Sequence, residues 1–96
     1  MFVIEDDWHA EPQGEYPDVA TAWAELEQRS TIPWDHAPNI APCVSWRTCG
    51  RSYELIEYDT SVLPWGRVRQ ISVLEIDSKG VRWMARSSDG AWPVMA

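Results

Sequence analysis

One stretch of this sequence has a helical period, and the stretches after it alternate. Between Tyr16 and Arg29, Val19, Trp23 and Leu26 fall at i, i+4 and i+7, with Ala22 on the same face. Pro17 suits the first turn, and Asp18 suits either the cap or a favourable charge near the N-terminus. Ala20, Ala22 and Ala24 raise helix propensity, Glu25 and Arg29 form an i, i+4 pair, and Pro33 blocks continuation. A single helix can cover only one face of a sheet, and that limit decides the architecture.

The remaining residues supply the sheet. Met1–Asp7 reads as a strand with Phe2 and Ile4 on one side. Arg51–Asp59 alternates Tyr53, Leu55 and Glu57 against Glu54, Ile56 and Tyr58. Arg67–Asp77 is the longest strand, read with Val68, Leu74 and Ile76 on one side and Ile71, Val73 and Glu75 on the other. Asp77-Ser78-Lys79-Gly80 is a hairpin turn leading into Val81–Arg86, and Ala91–Met95 is a short edge strand or a tail. Residues 8–14 and 30–48 read as loops; the second, punctuated by Pro33, Pro38 and Pro42, is long for a compact domain. The expected fold is a single α+β domain over residues 1–96. It has two layers, β-α-β-β-β order, and a mostly antiparallel sheet with one helix packed on one face.

Charge narrows the functional classes. The formal net charge is −7. Glu5, Asp6, Asp7, Glu11, Glu15, Asp18, Glu25 and Glu27 face only Arg29 within residues 1–30, whereas the remainder is balanced. Direct nucleic-acid binding needs a basic footprint, so none is expected. An acidic third suits a basic protein partner, or serves solubility alone. No apolar run is long enough to cross a bilayer, and the acidic start does not suit a secretory signal; a cytoplasmic protein is expected. Seven tryptophans against one phenylalanine exceed what so small a core buries, so some rings belong to a surface.

The densest chemistry lies between Pro42 and Asp59. Cys43 and Cys49 have a C-x5-C spacing that matches no zinc motif, even with His9 and His36 counted, so no metal or other cofactor is expected. A thiol nucleophile would pair Cys43 or Cys49 with His36, its pKa lowered by Arg47 or Arg51. No signature fixes that geometry, and small partly buried thiols are the simpler reading. Glu54 and Glu57 point to opposite faces of a strand and cannot act as an acid/base pair. The arginines of the second half suit bidentate contacts, most simply to Glu54, Glu57, Glu75 and Asp77.

Trp34-Asp35, Ala41-Pro42-Cys43, Ser45-Trp46-Arg47-Thr48-Cys49-Gly50-Arg51, Tyr53, Glu57-Tyr58-Asp59 and Pro64-Trp65 resemble a family of small uncharacterised bacterial proteins. The likeness covers the middle third, with a looser echo in the Val73–Trp83 hairpin. It implies a bacterial origin and transfers no function, cofactor or site residue. The expectation is therefore a binding module rather than an enzyme. It engages a protein partner through an exposed Trp/Tyr/Arg surface and its acidic N-terminal third, as an inhibitor or immunity-type protein covering a basic surface would. It acts as a monomer or homodimer. Candidate binding residues are Trp34, His36, Trp46, Arg47, Arg51 and Tyr53. The alternative is a small-ligand or thiol-dependent enzyme site in loop 34–51, using Cys43 and Cys49.

Overall fold

Five strands and one helix form the described part of the protein. A computed structural model describes residues 1–41 and 50–85. The elements are β1 (Phe2–Asp6), β2 (Glu11–Tyr16), α1 (Val19–Arg29), β3 (Arg51–Asp59), β4 (Gly66–Asp77) and β5 (Gly80–Trp83). All neighbouring strands are antiparallel, in the order β2-β1-β3-β4-β5. The expected two-layer α+β fold is thus observed, with one strand more than expected. That strand, β2, lies within the segment read as a loop running into the helix. It carries Pro12 and Gly14 and lacks apolar alternation, which an edge strand tolerates and a central one does not. The segment 86–96, with the end of the expected last strand and the tail, lies outside the described residues.

The helix begins later than the pattern of Tyr16 and Pro17 suggests. Asp18 is the N-cap: its backbone is extended, and Oδ1 accepts the Thr21 amide at 2.8 Å and the Thr21 hydroxyl at 2.8 Å. The amide bond holds the Asp18 carboxyl below its ordinary pKa. Pro17 therefore precedes the cap. The expected stripe of Val19, Ala22, Trp23 and Leu26 is buried. It packs on Phe2 and Ile4 of β1, Tyr53 and Leu55 of β3, and Leu74 and Ile76 of β4. Each fully buried aliphatic residue there contributes about 1.5–3 kcal/mol. Trp83 of β5 stacks on Trp23 at 6.2 Å between centroids, which ties the last described strand to the helix.

Two β-bulges re-aim β4. Tyr53 pairs with Leu74 but Glu54 with Ser72, leaving Val73 as an extra residue; Glu57 pairs with Arg69 but Tyr58 with Arg67, leaving Val68 extra. Simple alternation along Arg67–Asp77 therefore fails. Ile71 joins the side of Leu74 and Ile76, and Val73 is fully buried, while Val68 is exposed. The Val73 carbonyl accepts the amide of Met84 at 2.7 Å, so the first bulge anchors the residues beyond β5. On the face opposite the helix, Val3 and Ile56 are also buried, although they lie outside the main apolar cluster.

Candidate functional site

The two ends of the sheet differ in chemistry. Where β1 ends and β3 begins, a fully buried carboxylate, Asp6, organises a polar cluster. Its Oδ1 accepts the backbone amides of Trp8 at 3.2 Å and Ser52 at 3.0 Å. Its Oδ2 accepts from Arg51 Nη1 at 3.0 Å and meets His9 Nδ1. Arg51 also donates to Glu11 Oε1 at 2.8 Å and to the carbonyls of Pro38 at 3.1 Å and Ile40 at 2.8 Å.

Beside it, the Tyr53 hydroxyl donates to Asn39 Oδ1 at 2.9 Å, and Asn39 Nδ2 donates to the carbonyls of Arg29 at 2.9 Å and Ile32 at 2.8 Å. The buried Asn39 thus caps the C-terminus of α1 from a distance. Arg29 lies over the Tyr53 ring at 5.1 Å and bonds Glu25 Oε2 at 2.6 Å, the pair anticipated from their spacing. Burial raises the pKa of the Tyr53 hydroxyl.

This arrangement corrects two site assignments. Arg51 and Tyr53 are buried, and they hold the segment from Thr31 to Ala41 against the sheet. Their partners are internal, so neither belongs to an exposed binding surface. Trp34 is partly buried and packs on the core, whereas His36 is exposed beside Asp35, with its Nδ1 2.8 Å from Oδ1. Cys43, Trp46, Arg47 and Cys49 lie outside the described residues. Among the described residues, no group of three or more His, Cys, Asp or Glu residues could hold a metal ion.

On the face away from the helix, Glu5 and Glu54 stand directly opposite each other on β1 and β3. Glu54 is nearly inaccessible and accepts a hydrogen bond from Gln70 Nε2. Burial raises its pKa most; Asp7 and Glu5 push the same way, while the Gln70 bond opposes them. A carboxyl whose pKa is raised by folding stabilises the fold below its unfolded value and loses that contribution as pH rises through the folded value. Glu54→Gln is therefore expected to raise the melting temperature at neutral pH. The gap to wild type should shrink on titration to about pH 5. A gap that stays constant or widens on acidification would refute the assignment.

The other end of the sheet is different in kind. The β3–β4 connection, residues 60–65, projects Val62 and Leu63 into solvent, with Leu63 88% exposed. Its base is structured. The Asp59 carboxylate accepts the Ser61 amide at 2.9 Å and hydroxyl at 2.6 Å, Pro64 follows a cis peptide bond, and Trp65 lies 6.0 Å from the Tyr58 ring. Gly66 lets Val62 fold back over the hairpin; an added Cβ would meet Val62 Cγ2 at 3.3 Å. Exposed Val68, in the second bulge, and exposed Met1, whose carbonyl accepts the Tyr58 amide at 2.8 Å, belong to the same end. Arg67 completes it. Its guanidinium lies 5.8 Å from the Tyr58 ring centroid, donates to the Tyr58 hydroxyl at 3.3 Å and bonds Gln70 Oε1.

Residue spacing did not single out Tyr58, Leu63, Trp65 or Arg67. The signal that could have found them was Val62-Leu63-Pro64-Trp65, an apolar run in a turn between two polar strand ends. No family model, curated protein or solved structure matches the sequence. Among the described residues, no helix is long and apolar enough to cross a membrane.

Proposed function

We propose that this protein is a cytoplasmic protein-binding module, monomeric or homodimeric, whose docking element is the β3–β4 end. The carrying observation is Leu63, left 88% exposed on a loop whose base is fixed. An apolar residue presented on a pre-organised loop loses little conformational entropy on binding. Aromatic and arginine residues flank it, the types enriched at the energetic centres of interfaces. The Trp/Tyr/Arg surface of this reading is thus Tyr58, Trp65 and Arg67.

The acidic third adds a long-range field. Asp7, Glu15, Asp18 and Glu27 are exposed and have no ion-pair partner among the described residues. Such a field accelerates encounter with a basic partner and weakens with salt. An inhibitor or immunity-type role against a basic protein fits this field.

Leu63→Asp tests the proposal. Wild-type and variant protein are immobilised and exposed to lysate of the encoding organism, and bound proteins are quantified by mass spectrometry. The variant is expected to fold as wild type, since the replaced residue is in solvent. It should retain any specific partner at least about tenfold more weakly, the loss expected of a central contact. Equal retention of every captured protein by both would overturn the proposal.

A further inference from the structure

Among the described arginines, Arg29 pairs with Glu25, Arg51 with Asp6 and Glu11, Arg69 with Glu57, and Arg82 with Glu75 and Asp77. Arg67 alone of these has no carboxylate within ion-pair distance. It is exposed, and its hydrogen-bond partners are neutral. Gln70 stands between it and Glu54, accepting from Arg67 through Oε1 and donating to Glu54 through Nε2. The guanidinium therefore stays close to the Tyr58 ring while part of its donor fork remains open to a new acceptor. An arginine held in place before binding loses less rotamer freedom when it meets a planar anion. The same hairpin end carries Leu63 and Val62.

On the reading that this end is the docking element, we infer that it takes an extended partner segment in which a carboxylate lies next to an aliphatic residue. The carboxylate sits on Arg67, and the aliphatic group covers Leu63 and Val62. The carboxylate belongs to an Asp or Glu side chain of that segment. The local contact is opposite in sign to the field of the acidic third. A partner is thus attracted by one charge and oriented by the other, which fixes its register on the module.

The test is selection of a phage-displayed library of random 12-residue peptides on the wild-type protein, followed by titration of synthetic copies of the enriched peptides. Expected peptides carry Asp or Glu adjacent to Leu, Ile or Val. Their affinity should fall at least about tenfold in Arg67→Gln, the scale of a charge-assisted hydrogen bond. Arg67 is at the surface, so circular dichroism should show Arg67→Gln folded as wild type. Peptides weakened by Leu63→Asp but indifferent to Arg67→Gln would overturn the carboxylate inference and leave the docking element standing. Peptides indifferent to both would overturn both. Enriched peptides without a carboxylate beside an aliphatic residue, or failure to enrich any peptide, would overturn the inference.

Discussion

Gly50→Ala is expected to destabilise the sheet severely. An ideal Cβ at Gly50 would stand 1.9 Å from the Ile76 carbonyl oxygen and 2.7 Å from both Cα and Cβ of Asp77. The first two obstacles are backbone, so no side-chain rotation relieves them. Arg51 pairs with Ile76 in the next register position, which means that β3 and β4 must separate at this end to admit even one methyl group. Overpacking commonly costs about 1–3 kcal/mol, and a backbone collision belongs at or above that range. Total stabilities of small domains are only about 5–15 kcal/mol. The measurement is the urea midpoint of Gly50→Ala against wild type. A large fall, or a protein with no cooperative transition, is expected; a midpoint unchanged within error would refute the close approach.

Asp6→Asn is the second large effect. It preserves the shape of a fully buried residue while removing the charge that faces Arg51. Glu11 alone then neutralises the guanidinium, and with the amide oxygen kept on the Trp8 and Ser52 amides, the NH2 that replaces Oδ2 is donor-only and accepts from neither Arg51 nor His9. Breaking a buried pair typically costs about 3–5 kcal/mol when the remaining charge is stranded; with Glu11 still beside Arg51, a loss toward the lower end of that range is expected. A double-mutant cycle isolates the pair: Asp6→Asn with Arg51→Met should be less destabilised than the two single changes summed. Additive effects in chemical denaturation would show that the two residues are not energetically coupled.

These two residues show where sequence reasoning succeeds and where it stops. The strand Arg51–Asp59 was legible to its ends because its alternation is regular and one face is apolar. The helix stripe was legible for the same reason. A glycine at the start of a strand pattern suits a turn or bulge, and nothing local reveals that a carbonyl on another strand lies against Gly50. Asp6 was indistinguishable from its acidic neighbours, because its burial depends on Arg51, far away in sequence. The bulges at Val68 and Val73 were hidden too, as both residues fit a regular strand equally well. For the site, the sequence supplied the residue types and put two of them in the wrong place. Arg51 and Tyr53 are attractive interface residues by chemistry, yet Asn39, Asp6 and Pro38 claim their polar atoms inside the fold.

Strand β2 has a consequence for how the molecule behaves in crowded solution. An outermost strand ordinarily offers a row of amides and carbonyls on which another polypeptide grows into fibrils. Here Pro12 removes one donor from that row, and the irregularity around Gln13 twists it out of line. Exposed Glu15 adds negative charge on the same short segment. A second copy approaching this border meets repulsion and a broken template. The features that made β2 hard to read as a strand are those that keep it from seeding an aggregate.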